Sequence, residues 1–145
     1  MKNIELSRIF NEMYYMLNAD EKARFEALAY QRAARSIESM QDDISEIYEK
    51  NGINGLMKIP GIGKGLAEHI EEYLTTEKIE KYEELKKKFP VDFNEFSGIE
   101  GFGPKKAMTL YEKLGIKNIS DLKKAAEEHK IRDIPGFEKK VRHLS

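Results

Sequence analysis

The fold of this chain is decided by two stretches of sequence, Ile59-Pro60-Gly61-Ile62-Gly63-Lys64 and Ile99-Glu100-Gly101-Phe102-Gly103-Pro104. In each stretch two glycines flank one apolar residue, and an amphipathic helix with an alanine at the same place follows at once. Gly101 follows Gly61 by 40 residues. A third stretch, Ile134-Pro135-Gly136-Phe137-Glu138, repeats the pattern with a glutamate in place of the second glycine. The spacing predicts an internal repeat of a helix, a tight turn and a helix.

Apolar residues at helical spacing predict further helices around the first repeat. The predicted segments are residues 4–17, residues 20–40, a short helix from Asp42 to Asn51-Gly52, and a lysine-rich helix over 78–88. No segment alternates with period two for long enough to predict a strand. We therefore expect an all-α chain.

Pro90 closes the lysine-rich helix and marks the best candidate for a boundary between two small helical units. The expected units are residues 1–88, with the first glycine turn, and residues 89–145, with the second turn and the partial third one.

Composition narrows the class of protein. The 145 residues contain no cysteine, which excludes a disulfide scaffold, a thiolate zinc site, an iron-sulfur cluster and a cysteine nucleophile. No apolar run approaches the roughly 18 to 20 residues that span a bilayer, and no signal-peptide pattern opens the chain. An intracellular protein, of the cytoplasm or nucleoid, is the expectation.

The charges nearly cancel, with 25 Lys and Arg against 26 Asp and Glu, which argues against a strongly basic, histone-like DNA binder. Their distribution is uneven, because residues 101–145 carry 11 basic and 6 acidic side chains while both preceding segments of 50 residues are acidic. A basic C-terminal third is typical of a chain with one surface facing a polyanion, although a solvated helical surface would look the same.

The glycine turns predict contacts with phosphate groups. Glycine permits positive φ and close approach of the backbone, and each turn leads into a helix N-terminus, where N–H groups lack partners and the dipole is positive. Such amides bind phosphates without reading base sequence. The candidate DNA-binding residues are Gly61, Gly63, Lys64, Gly65, Gly101, Gly103, Lys105 and Lys106.

Two other interpretations of the turns stay open at this point. They could be compact helix connectors only. A mononucleotide site is disfavoured, because no strand precedes the glycines and the Walker lysine spacing is absent.

The turns resemble the helix-hairpin-helix element of DNA repair proteins, and the whole chain resembles family X DNA polymerases. The helix over 25–37 is similar to the N-terminal helix of that family, and the subsequent order of hairpins and helices is also similar. The resemblance implies a small 5′-end-binding domain plus a duplex-binding subdomain of a beta-type polymerase, most similar to bacterial or archaeal members. It implies a monomer that binds gapped or nicked DNA during gap filling in base excision repair.

The resemblance also implies roles for individual residues. Tyr30 matches a tyrosine that lines the pocket for the DNA 5′-phosphate. Each hairpin of the family binds DNA through glycine amides and through a potassium or sodium ion held by backbone carbonyls. The matching carbonyls here belong to Met57, Ile59 and Ile62, and to Ser97, Ile99 and Phe102.

Lyase chemistry is a departure from the family pattern. The family's Schiff-base lysine falls at His69, and two supporting pocket lysines fall at Gly65 and Glu26. An imidazole cannot form the imine that this chemistry needs. Lys64, on the same helix, is the only lyase candidate, and we predict no other catalytic residue.

Polymerase chemistry needs carboxylates that hold two Mg²⁺ ions. The aspartates of this chain fall at isolated or helix-capping positions, namely Asp20, Asp42, Asp43, Asp92, Asp121 and Asp133. The catalytic domain is therefore expected outside these 145 residues, so that the chain is an excised fragment or a stand-alone relative.

Two further classes are alternatives. A hairpin-type DNA glycosylase needs a lysine two residues after the second hairpin glycine, where this chain has Gly65. A stand-alone adaptor of a repair or recombination complex would use tandem hairpins on branched DNA. The Tyr30 helix, at its distance from the first hairpin, favours the polymerase interpretation.

Overall fold

The computed structural model describes residues 1–128, and within that range the chain is helical without a strand, which confirms the all-α prediction. The α-helices are α1 (Lys2–Asn18), α2 (Arg24–Ser39), α3 (Ile44–Leu56), α4 (Lys64–Thr76), α5 (Glu80–Lys88), α6 (Phe93–Phe96), α7 (Pro104–Leu114) and α8 (Ile119–Glu127). A 3₁₀ turn, Glu21–Ala23, precedes α2. The partial third hairpin, at residues 134–138, lies outside the described residues.

The chain divides into two compact units, the first spanning Met1–Phe89 and the second beginning at Pro90. No helix among residues 1–128 is both long and apolar enough to cross a bilayer.

The core of the first unit lies mainly between α1 and α2. Alanines at positions 27, 33 and 34 of α2 are buried, so the two helix backbones can approach closely around large α1 side chains such as Phe10 and Met13. The rings of Phe10 and Tyr30 meet edge to face with their centroids 5.7 Å apart. This packing holds Tyr30 in place, with only 4% of its surface exposed.

Helix α3 begins at the predicted cap, because the carboxylate of Asp43 accepts a hydrogen bond from the Ser45 N–H at 2.9 Å. Gly52 interrupts the helix with φ 60° and ψ −151°, at the place where the sequence predicts an end. The first helical segment thus ends where predicted, and residues 53–56 form a second, short segment of α3 after Gly52. They form the first arm of the first hairpin.

A buried polar cluster connects α1 to α5. Glu12, only 2% exposed, accepts hydrogen bonds from the Tyr82 hydroxyl at 2.5 Å and from Arg8 Nη1 at 2.8 Å. Because a carboxylate so far from water must be paired, these bonds fix the position of α5 on the first unit.

In the second unit, α6 to α8 surround a small apolar core that contains Phe96, Phe102 and Leu110. Asp92 caps α6 through the Glu95 N–H at 3.0 Å, as its predicted capping position requires. Asn118 caps α8 through the Asp121 N–H at 2.8 Å. The apolar spacing does not predict α8.

Candidate nucleic-acid interface

The two glycine turns share one backbone hydrogen-bonding pattern. The Ile62 N–H donates to the Ile59 carbonyl at 3.0 Å, and the Phe102 N–H donates to the Ile99 carbonyl at 3.0 Å. The first helical bond after each turn also corresponds, since Ala67 N–H bonds Gly63 O at 2.9 Å and Ala107 N–H bonds Gly103 O at 3.2 Å. The repeat predicted from the sequence is therefore present in the backbone of both units.

Apolar side chains hold each turn on its own unit. Ile62 and Phe102, between the paired glycines, are 4% and 3% exposed, and the alanines Ala67 and Ala107 are fully buried. The apolar residue of each turn thus lies in the core, as predicted, which leaves the glycine backbone on the outside.

The two glycines of each turn differ in backbone conformation. Gly61 and Gly101 have φ of 83° and 79°, a conformation that other residues adopt only at a cost. Gly63 and Gly103 have extended φ of −88° and −91°, so the expectation of positive φ holds for the first glycine of each turn only. A Cβ on Gly63 or Gly103 would meet nothing within 4 Å. Neither conformation nor packing within the protein requires glycine at these two positions.

Gly63 and Gly103 are also the N-caps of α4 and α7, and neither helix has a side-chain cap. Asp20, Asp43, Asp92 and Asn118 cap four other helix starts in the described range with their side chains, while α1, α2 and α5 also lack a side-chain cap. The first-turn N–H groups of α4 and α7 therefore face outward, beside a positive helix end. An anion with several acceptor oxygens, such as a phosphate, can accept those hydrogen bonds.

The predicted lysines stand at these helix starts. Lys64 and Lys105 are exposed in the first turns of α4 and α7. Lys106 is half-buried, with its ammonium 5.8 Å from the centre of the Phe102 ring. Their positive charges are unfavourable next to a positive helix end, and a bound anion would offset that repulsion.

Five of the six carbonyl oxygens that are predicted to hold a monovalent cation accept one hydrogen bond or none among residues 1–128. Within residues 1–128 no hydrogen bond reaches the carbonyl oxygens of Met57, Ile62 and Ser97, while those of Ile59 and Ile99 accept only the turn bond. Uncharged oxygens with available lone pairs are the ligands that potassium and sodium prefer in proteins. No group of three or more His, Cys, Asp or Glu side chains that could hold a metal ion occurs in that range.

Tyr30, the predicted pocket residue, lies among side chains of α4 and α5. Its ring centroid is 6.1 Å from that of His69 on α4, and the Lys81 ammonium of α5 lies 5.7 Å from the ring centre. Burial raises the pKa of Tyr30 to about 12, so this phenol stays protonated at neutral pH and can donate a hydrogen bond. Glu26, one turn earlier on α2, forms an ion pair with Lys81.

The structure brings together Tyr30, His69 and Glu26, all of which the resemblance assigns to one pocket. Gly65, the position of another family lysine, lies exposed in the first turn of α4 with open space where a side chain would stand. The side chain of Lys64 takes part in no ion pair or hydrogen bond among the described residues, and its role as lyase candidate stays a prediction.

Two cationic residues near these sites were not among the sequence candidates. Lys81 belongs to the lysine-rich helix, where periodicity alone does not show that it reaches the Tyr30 ring. Arg32 lies beside the first turn, since a Cβ on Gly61 would be 3.7 Å from the Arg32 Cβ. It is exposed and makes no ion pair in the described part of the chain. The only sequence signal for Arg32 is its place off the apolar stripe of α2.

Comparisons with known proteins agree with this geometry. The helix-hairpin-helix domain family matches residues 1–79, and the SAM-like helix-hairpin-helix tandem family matches residues 93–141. The DNA polymerase/3′-5′ exonuclease PolX of Bacillus subtilis is 32% identical over 128 residues, which cover 88% of this chain and 21% of that protein. DNA polymerase lambda of Arabidopsis thaliana is 31% identical over 125 residues, which cover 83% of this chain and 22% of that protein. The chain thus spans about a fifth of the length of these relatives, and the resemblance stated from the hairpins and the Tyr30 helix is confirmed.

Proposed function

We infer that this chain binds DNA through the phosphate backbone without reading base sequence. It belongs to the helix-hairpin-helix domain family and is related to the N-terminal hairpin region of family X DNA polymerases. The observation that carries this proposal is the pair of matching turns. Each presents an open glycine and an uncapped helix N-terminus to solvent.

This mode of binding is compatible with a net charge of −1. Backbone amides and a helix dipole attract phosphate without a formal side-chain charge. A potassium or sodium ion on the carbonyls of Met57, Ile59 and Ile62, or of Ser97, Ile99 and Phe102, would add positive charge next to a phosphate oxygen. The lysines at the helix starts then supply the long-range attraction.

The relationship to family X polymerases supports a narrower proposal. The substrate is gapped or nicked duplex, bound by a monomer during gap filling in DNA repair, with the 5′-phosphate at the gap margin near Tyr30. The adjoining polymerase activity would belong to a catalytic domain with its own Mg²⁺ ions.

The direct test is fluorescence anisotropy with DNA that carries a one-nucleotide gap. We expect a 5′-phosphorylated gap to bind several-fold more tightly than the same gap with a 5′-hydroxyl, and both to bind more tightly than blunt duplex. Affinity should fall with salt at a slope equivalent to a few phosphate contacts. Equal affinity for all three DNAs would remove the 5′-end role and leave general DNA binding. Absence of binding to any of them at low salt would overturn the proposal as a whole.

Arg32→Ala is expected to weaken binding to gapped DNA by about three- to fivefold and to lower the salt slope by about one, as loss of a phosphate contact does. The reason is the position of Arg32 beside the Gly61 turn. Arg35→Ala is the matched control, because Arg35 is exposed on the same helix but lies near Tyr15 of α1. Equal effects of the two substitutions would mean that Arg32 contributes only through the net charge of the unit.

A further inference from the structure

Lys81 of α5 has two partners of opposite character in the first unit. Its ammonium lies 5.7 Å from the centre of the Tyr30 ring and forms an ion pair with the carboxylate of Glu26. His69 flanks the same ring at 6.1 Å. Helices α4 and α5 thus place an imidazole and an ammonium beside the Tyr30 ring of α2, and the ammonium is paired with the Glu26 carboxylate.

The hydroxyl group of Tyr30 has no protein partner and is available to a ligand. The residue is 4% exposed, yet its hydroxyl makes no hydrogen bond within residues 1–128. No side-chain nitrogen or oxygen in that range is both fully buried and unpartnered, so the Tyr30 hydroxyl is in contact with solvent. Since no protein group accepts its proton, the hydroxyl is available to donate a hydrogen bond to an incoming anion in place of water.

Partial burial of the Lys81 ammonium favours its pairing with an anion. Its side chain is 33% exposed, and burial lowers the pKa of its ammonium, while the nearby Glu84 acts in the opposite direction. Burial disfavours the charged form unless a negative partner is present. In this structure Glu26 is that partner.

We propose that Glu26 competes internally with the terminal phosphate of a DNA 5′ end for the anion site at Tyr30. The Glu26 carboxylate pairs with the Lys81 ammonium in the free protein. The phosphate displaces the carboxylate and binds both the ammonium and the Tyr30 hydroxyl. The proposal rests on the proposed DNA-binding function and adds a control on that site. Displacement is feasible because Glu26 is 45% exposed, and exposed ion pairs are weakened by solvent. A terminal phosphate carries more negative charge and more acceptor oxygens than a carboxylate.

The experiment measures the ratio of dissociation constants for 5′-hydroxyl and 5′-phosphate gaps in wild type, Glu26→Gln and Lys81→Met. Glutamine keeps the size of Glu26 and removes its charge, so we expect the ratio to rise by about three- to tenfold. Methionine keeps most of the apolar stem of Lys81, and the ratio should fall towards one. Glu83→Gln is the matched control, because Glu83 forms an ion pair with Lys86 at 3.3 Å on the same unit, and the substitution changes the net charge equally.

Each outcome has a distinct meaning. A ratio in Glu26→Gln that equals the ratios of wild type and Glu83→Gln overturns the proposal, even if all variants bind DNA. A ratio in Lys81→Met that stays at the wild-type value does the same. Failure of wild type to bind any DNA contradicts the proposed function instead. Should circular dichroism show that Lys81→Met does not fold, Lys81→Arg, which retains the charge, must keep a ratio well above one.

Discussion

Replacing Gly63 and Gly103 together by aspartate is expected to lower DNA affinity about a hundredfold without loss of the fold. Aspartate at an N-cap accepts hydrogen bonds from the first-turn N–H groups, the same donors that we assign to phosphate, and places a negative charge there. Hydrogen bonds to charged groups contribute about 1.5–3 kcal/mol, so each hairpin should lose about tenfold in affinity.

The fold should tolerate both substitutions. Gly63 (φ −88°, ψ −175°) and Gly103 (φ −91°, ψ −177°) have the extended conformation of a normal N-cap, and a Cβ meets nothing within 4 Å. Asp43 and Asp92 already cap helices of this chain in this way. Because glycine is only slightly worse than aspartate at an N-cap, the melting temperature should stay constant or rise slightly.

Anisotropy with gapped DNA and thermal denaturation followed by circular dichroism together check this prediction. The double variant Gly63→Asn and Gly103→Asn is the control, because asparagine caps the helices without adding charge. It should fall between wild type and the aspartate variant in affinity. Wild-type affinity in the folded aspartate variant would mean that the turns connect helices and do not bind DNA.

Glu12→Ala is expected to lower the free energy of unfolding of the first unit by about 2–4 kcal/mol, the range for breaking a buried charged cluster. The substitution leaves the buried Tyr82 hydroxyl, now bonded to Glu12 at 2.5 Å, without its acceptor. The hydrogen bond with Arg8 at 2.8 Å is lost too, although Arg8 is 44% exposed and can turn to solvent.

Urea denaturation followed by circular dichroism measures this effect. Tyr82→Phe removes one hydrogen bond and retains the packing, so it should cost only about 1 kcal/mol. Glu38→Ala, at an exposed position of α2, is the control and should change stability by less than about 0.5 kcal/mol. A Glu12→Ala protein as stable as the control would show that the cluster contributes nothing to the fold.

Tyr82 follows Lys81 in the chain, so the loss of its bond to Glu12 should also shift Lys81. We therefore expect Glu12→Ala to bind a 5′-phosphate gap with less preference over a 5′-hydroxyl gap.

The helices and turns were largely predictable from the sequence, for local reasons. Apolar spacing predicts α1, α2 and α5 to within a few residues, and the cap at Asp43 is confirmed, while Asp20 caps the 3₁₀ turn that precedes α2. Glycine spacing predicts both hairpins. The resumption of α3 after Gly52 escaped prediction, because residues 53–56 are too few to show a period and form the helix only as an arm of the hairpin.

The site was predictable only where one helix or turn contains it. The positive φ of the turn requires glycine at positions 61 and 101. The repeated pattern also predicts Gly63 and Gly103 as site residues. Lys81 and Arg32 escaped prediction, because their importance depends on which helix each faces. Periodicity shows which residues share a face of one helix, and it does not show what that face meets.

Local spacing and motif order are enough to predict that this chain is all-α, that it carries repeated hairpins and that it belongs with family X polymerases. The folded chain alone shows that the second glycine of each turn stands in open space with extended φ, and that Lys81 meets both Tyr30 and Glu26. Free volume and ion pairing between helices depend on packing among residues far apart in the chain, which local sequence patterns do not contain. Glu26 and Lys81 are separated by 55 positions and become neighbours only when α2 and α5 are both in place.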